Sequence, residues 1–521
     1  MKISAAILSL IFPLVVFGQD ISTFTSVNQG SQDHFLRLPS THTFQLLAKS
    51  LSTITGTNTL KPNCDFTAYI PIDGSSEKGY LSVNHEIAPV GGVSIFQVQI
   101  NPFSKYWEID FIDTVSFSDV VGTRKNCSGG IIPWHTIFTS EEFPDSSDTN
   151  LDGYIDNGWL IELDPATQQI VDQDGDGLGD KLWALGRGSH ENAVIANDSV
   201  VYYGFDHPSR GFVLKFVCNQ PRDFTAGKLY AIQLDSITAG HGKWIQIPNN
   251  TIAEQNTTNW AAFYAGATNF NGVEDVEIGP DNNIYFSAKS TGRIYRFSDQ
   301  LDSIPFFEIY VENQVYTMDS ESGTQNVSWG IGADNLAFDN QGNLWVCQDG
   351  DSNYIWVVDV THSPSSPNIS LFAVTPKQSE PTGINFTPDG KFLFMSLQHP
   401  TWRNTSSQLD ATGSSIKFNE SAVIVIGRKE DFGRHLNAPG LNVFPNPTNN
   451  KIWFEYNADT GQEVIVSIVN DDGRIVFKEQ QLHTAGYNLI QVDVSTLAVG
   501  TYVFSVSREN GALRSKFIKT E

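Results

Sequence analysis

One spacing recurs along residues 60–400, and it restricts the fold severely. Apolar triplets begin at Ile284, Leu344 and Phe392, each after a turn-forming stretch, and ten residues upstream of them stand Glu274, Asp334 and Thr382. The same offset from Val201 reaches Glu191, and from Ile137 it reaches Cys127. Five residues downstream of the triplet starts come Glu142, Asp206, Lys289, Asp349 and Leu397, the last followed by Gln398 and His399. Leu81 shows the second half of the pattern, with Glu86 at its downstream position.

A hairpin explains the offsets. Its first strand leaves residue i and its second returns, so both marked positions meet at one open end. Six such units arranged radially give an all-β chain, a six-bladed β-propeller whose sheet edges stay short. The short β-branched and aromatic runs agree with that class, and no heptad or long helical period competes. Cys127, Glu191, Glu274 and Asp334 would then gather round one mouth of a central channel. Glu86, Glu142, Asp206 and Asp349 would form a second ring beside them.

Charge sharpens the chemistry. The chain carries a formal net charge of −26, which argues against nucleic acid and anionic membranes as partners. An acidic residue at a strand end is usually a turn cap. Seven carboxylates and a thiol in one register, however, repel one another unless cations join them. Carboxylate oxygens suit calcium, and a thiolate suits iron or zinc, so the ring is read as a mixed-metal site. Such a site would admit an anionic substrate that the bare protein repels. Of the other cysteines, Cys218 and Cys347 read as core residues, and Cys64 receives no role.

The blocks "GYLSVNHE", "NCSGGIIPWHTIFTSEE", "GRGSHENAV", "GVEDVEIGPDNNIYF", "ADNLAFDNQGNLWVCQDG" and "FTPDGKFLFMSLQHP" resemble the signature blocks of PhoX-type alkaline phosphatases, in the family's order. The resemblance spans about residues 60–430. It implies a six-bladed propeller with an iron pair and a calcium cluster that hydrolyses phosphate monoesters outside the cytoplasm. Cys127 would be the iron-binding thiolate and Glu191, Glu274 and Asp334 carboxylate ligands, joined by Glu142 and Glu86. In one place the chain departs from the family: Gly272-Val273-Glu274-Asp275 stands where Arg-Pro-Glu-Asp is common. Lys289 is the candidate to grip phosphate instead. His190 and His399, like His85, lie beside ligand slots and are candidates to orient ligands or protonate the leaving group.

Two further acidic loops stand apart from the ring. Asp148, Asn150, Asp152 and Asp156, and again Asp172, Asp174, Asp176 and Asp180, place oxygens at alternate positions before Asp-Gly turns, as calcium loops do. Strand-like flanks and the absence of a closing glutamate argue against an EF-hand, so they are expected to be structural calcium loops.

The ends of the chain suggest export. Residues 1–18 read as a signal peptide with too short an apolar run to span a bilayer, and no transmembrane segment follows. Residues 19–430 are assigned to the propeller and 431–440 to a linker. Residues 441–521 hold short alternating strands that suggest a small β-sandwich. "VFPNPTNN", "DDGRIV" and "LAVGTYVFSV" there resemble the type-A sorting domain of the type IX secretion system, found in Bacteroidetes. That resemblance implies the secretion machinery as partner, passage through periplasm and outer membrane, and a secreted or cell-surface protein. The sequence therefore reads as a metal-dependent phosphatase acting on a small phosphate ester. A phosphodiesterase or phytase-like hydrolase and a non-catalytic calcium-stabilised binding propeller are the alternatives.

Overall fold

Turn chemistry sets the hairpins. Asp339 accepts the backbone N–H groups of Gln341 and Asn343, both at 2.9 Å, and Gly342 supplies the positive φ of 85° that closes the turn. Asp281 caps Asn283 in the same manner at 3.1 Å, beside Asn282 at φ 61°. Such side chains mimic a backbone turn and tolerate the left-handed region. In this computed structural model, residues 20–55, 58–102, 104–350, 352–433, 441–458, 461–483, 486–508 and 511–521 are described. The expected signal peptide, and all but the first few residues of the expected linker, lie outside them.

The chain is all-β. Among the described residues, α-helix is confined to Ile252–Asn256 and Thr258–Ala265. Four antiparallel strands, Cys64–Pro71, Lys78–His85, Gly92–Ile100 and Trp107–Thr114, form one sheet. A second holds Asn126–Ile131, Ile137–Glu141, Leu160–Asp164 and Gln169–Ile170. A nine-stranded sheet runs from His190–Ala196 to Val273–Ile278, its two halves joined where Ala239–Ile247 pairs with Ser303–Val311. Ala333–Phe338 begins the next sheet. The last combines Glu380–Phe386, Phe392–Gln398 and Ala422–Arg428 with the early strand His42–Lys49.

The strands that begin these units touch in cyclic order. Cys64–Pro71 contacts Asn126–Ile131, which contacts His190–Ala196, then Val273–Ile278, Ala333–Phe338, Glu380–Phe386, and Cys64–Pro71 again. Apolar side chains fill the gaps between neighbouring sheets. Val93 and Ile95 of one meet Ile137, Ile161 and Leu163 of the next. Tyr69, Phe96 and Trp107 meet Phe392, Phe394 and Val425. Burial of such faces is the main favourable term in assembling the sheets.

Residues 441–521 form two further sheets, Asn442–Phe444 with Lys451–Ala458 and Gly486–Asp493, and Ile475–His483 with Gln462–Asn470, Gly500–Arg508 and Gly511–Lys519. Both contribute to one apolar cluster, with Ile452 and Phe454 from the first facing Val466, Phe504 and Val506 from the second. The alternation read from the sequence is thus the alternation of buried and exposed faces.

Candidate metal centre

Each of the six leading hairpins carries a β-bulge at the same place. The ladder slips between Cys64 and Thr67, Asn126 and Gly129, His190 and Ala193, Val273 and Val276, Ala333 and Leu336, and Thr382 and Asn385. Two residues then oppose one, which re-aims a side chain that the plain pleat would send elsewhere. The first bulged residues are Asp65, Cys127, Glu191, Glu274, Asp334 and Gly383. The second ones tie neighbouring strands together: Asn192 donates to Asp275, Asp275 accepts from the Leu336 N–H at 2.8 Å, and Asn335 accepts from the Gly383 N–H at 2.7 Å. Glu86, Glu142, Asp206, Lys289 and Asp349 each come directly after the returning strand.

These residues converge. Glu142, Glu191 and Asp206 bring ligand oxygens within 4.8 Å of one another, and so do Asp334, Asp349 and Glu380. Lys289 sits between groups, 3.0 Å from Asp349, 3.2 Å from Asp334 and 3.7 Å from Glu274. Lys125 joins Glu86 at 2.6 Å and Glu142 at 3.0 Å. The buried Glu274 Oε1 has no hydrogen bond.

Ionisation is strained at this mouth. Burial, then repulsion from Glu274 and Glu142, pushes Glu191 well up. Burial raises Glu274 well above its usual range despite Lys289. Burial and the charges of Glu86 and Asp334 do the same to Asp65, and burial with Asp349 and Asp334 to Glu380. Glu142 is pushed up to about 7, by burial first and the Glu86 charge second. Burial opposes ionisation of Glu86 too, but the Lys125 ammonium outweighs it and holds that carboxyl low. Burial and then Glu191 raise the Cys127 thiol, whose Sγ faces the His190 carbonyl at 3.2 Å. Cations supplied to this set would relieve the repulsion. The donor set fits carboxylate-bound calcium and a thiolate-bound softer ion such as iron or zinc, with Glu274 Oε1, which has no hydrogen bond, as a further ligand position.

The eight metal candidates read from the spacing all line this mouth. Asp65, Glu380 and Lys125 were missed. Asp65 lies sixteen residues before Leu81 because the first hairpin is longer, so a fixed offset passes it by. Glu380 pairs with Gln398, two residues ahead of Thr382, where the offset pointed. His399 is half-exposed, its Nε2 3.9 Å from Glu86 Oε2. The His190 imidazole is elsewhere. It precedes Glu191 in the strand and so faces the opposite way, packed against Tyr203 and Phe205 with Nε2 2.9 Å from the Gly186 carbonyl. Burial lowers its pKa to about 3. His85 is likewise buried, held by Pro62 and Ser94. All four cysteines are buried and unbridged.

Gly272 has a structural reason. Its φ is +102°, and a Cβ there would lie 2.5 Å from Asp206 Oδ1. An arginine here would be strained, because side chains other than glycine's rarely adopt this backbone.

The two acidic loops reach the ring through a buried ion pair. Lys181 and Glu141 side chains are both fully buried, and Nζ donates to both Glu141 oxygens at 2.9 Å and to the Asp156 carbonyl. Glu141 also accepts from Gly158 N at 3.0 Å and Trp159 N at 3.1 Å. Asp156 ends the first loop, Lys181 follows the second, and Glu142 of the ring is next to Glu141. In the second loop Asp172, Asp174 and Asp180 bring oxygens within 4.8 Å of one another.

The structure of Pseudomonas fluorescens PhoX in complex with vanadate, described as a transition state analogue, superposes with a TM-score of 0.60 at 20% identity, covering 78% of this chain and 98% of that one. A virginiamycin B lyase from Staphylococcus aureus with quinupristin gives a TM-score of 0.37 at 11% identity, over 74% of this chain and 99% of that one. No curated protein sequence matches. Residues 442–520 match the secretion system C-terminal sorting domain, the type IX tail that implies secretion or export to the cell surface. No helix among the described residues is long and apolar enough to cross a membrane. Residues 97–401 match the family described as Alkaline phosphatase PhoX, and the chain belongs to that family.

Proposed function

We propose that the protein is an exported phosphatase that hydrolyses phosphate monoesters at an iron and calcium cluster held by the bulge ring of a six-bladed propeller. The observation that carries this reading is the convergence of Cys127 with Asp65, Glu191, Glu274, Asp334 and Glu380 on one mouth, where burial opposes their ionisation. The cyclic strand contacts support the six-bladed architecture, and the two-sheet tail supports a small sandwich that serves sorting.

Cys127 would hold iron, and the two carboxylate groups calcium. When bound, the metals supply charge neutralisation for the phosphoryl oxygens and the electrostatic stabilisation on which phosphoryl transfer depends. The chain does the remainder. Its bulges fix where each carboxylate points, and Asn84 donates to the Cys127 and Ser128 carbonyls, both at 2.9 Å, which fixes the thiol's strand. Lys289, a third exposed and paired with Asp334 and Asp349, is the residue assigned to bind a phosphate oxygen. His399, half-exposed beside Glu86, is the residue assigned to protonate the leaving-group oxygen. His190, its imidazole packed against Tyr203 and Phe205, takes no part in this step.

The test is iron and calcium content, measured together with hydrolysis of 4-nitrophenyl phosphate, on the exported chain and its Cys127→Ser variant. Iron and turnover in the wild type, both lost in the variant, support the reading. Calcium without iron in both proteins overturns it.

A further inference from the structure

Beside the mouth lies a cavity of about 610 Å³ whose lining reverses the character of the rest of the protein. In a chain of net charge −26, its walls contain Lys377, Arg403, His34 and His399 and no carboxylate. Among the described residues no carboxylate lies within salt-bridge distance of Lys377 or Arg403. Lys125 and Lys289, by contrast, both form ion pairs with ring carboxylates.

The cavity is built rather than incidental. Asn404 is buried, and its Nδ2 donates to the Lys377 carbonyl at 3.1 Å and the Phe418 carbonyl at 2.8 Å, so the two cationic loops are clamped together. The Thr405 N–H donates to His34 Nδ1 at 3.2 Å, which leaves Nε2–H as that ring's donor. The Arg403 guanidinium stands 5.2 Å from the centre of the Trp402 ring, itself 73% exposed. The cavity adjoins the ring directly: His399 is shared with Glu86, Gln398 donates to Glu86 at 2.8 Å, and Lys377 lies three residues before Glu380.

We propose that this cavity is a second anion subsite, receiving a further phosphate group of a substrate whose scissile phosphate lies at the metal centre. The inference rests on the phosphatase reading and narrows it to small molecules bearing two or more phosphates. Lys377 and Arg403 supply charge-assisted hydrogen bonds to the second phosphate, which are the strong ones. Trp402 offers a flat apolar face to the skeleton between the two groups. An acid-free, cationic wall next to an acidic ring orients such a molecule, because its non-reacting phosphate is repelled everywhere else.

The experiment compares the metal-loaded full chain with its Lys377→Gln/Arg403→Gln double variant. Binding of fructose 1,6-bisphosphate and of fructose 6-phosphate is measured by calorimetry, and hydrolysis of both is followed separately. Expected is at least a tenfold loss of bisphosphate affinity in the variant, a less than twofold change for the monophosphate, and a salt-dependent difference between them. Equal bisphosphate binding by the two proteins, or equal losses for both ligands, overturns the subsite even if turnover is normal. Selective loss of bisphosphate binding without any hydrolysis supports the subsite and refutes the hydrolase reading instead.

Discussion

Replacing Lys181 with methionine removes one half of an ion pair whose two side chains have no solvent exposure. Glu141 would keep the backbone donors of Gly158 and Trp159 but lose its counter-charge, and the Asp156 carbonyl would lose its donor. Breaking a buried pair from one side typically costs about 3–5 kcal/mol, because the remaining charge stays desolvated. At about 2.1 cal/mol/K of unfolding entropy per residue, a domain of roughly 400 residues loses about 4–6 °C of Tm for that cost. The assay is calorimetry on the metal-loaded protein, with Glu141→Gln added to Lys181→Met as the second arm. Neutralising the stranded carboxylate should recover about half of the loss. Calcium content should fall with the single variant, because Lys181 ties both acidic loops to the strand end before Glu142. A single variant that melts within about 1 °C of wild type would refute the argument, since that is well under the cost of an unpaired buried charge.

Three more outcomes follow from the geometry. His42, His85 and His190 have pKa values lowered by burial to about 4, 3 and 3. Each must take up a proton on unfolding, so stability is full above about pH 6.5 and falls as pH drops toward 3; at pH 5 the loss is about 2 kcal/mol per histidine. Tm measured from pH 7.5 to 4 checks this, and His85→Gln should flatten the slope by about a third. Gly272→Ala, forced into positive φ against Asp206, should cost about 1–3 kcal/mol and lower calcium content, read by melting and metal analysis. Asp172→Asn with Asp174→Asn should release one calcium and speed proteolysis within 148–180, with ring iron unchanged; a constant calcium count would refute that loop as a site.

Much of the ring was legible because bulges preserve spacing. Where a hairpin keeps its length, the bulged residue stays ten positions ahead of the triplet, and Cys127, Glu191, Glu274 and Asp334 could be read off. Asp65 escaped because extra residues in its hairpin move the offset without moving the strand end. Glu380 escaped because it is not the bulged residue at all; Gly383 is, and Glu380 enters from a pleat farther out. Lys125 and the Lys181–Glu141 pair carried no periodic signal, since tertiary packing alone brings them to their partners. His190 shows the reverse error. Adjacency to a ligand in sequence means the opposite face in a strand.

The last sheet is completed from both ends of the region, with His42–Lys49 laid antiparallel along Ala422–Arg428. Joining strands so distant in sequence costs loop-closure entropy that grows only slowly with length. Once joined, His42–Lys49 covers the edge of Ala422–Arg428 and becomes the outer strand of the sheet. A chain clipped before residue 50, or stopped before 422, would present a bare strand edge on the sheet that carries Glu380, ready to add a strand from another copy. The two ends of residues 42–428 thus act as one fastener, and damage at the start of the chain is felt in the sheet that carries Glu380.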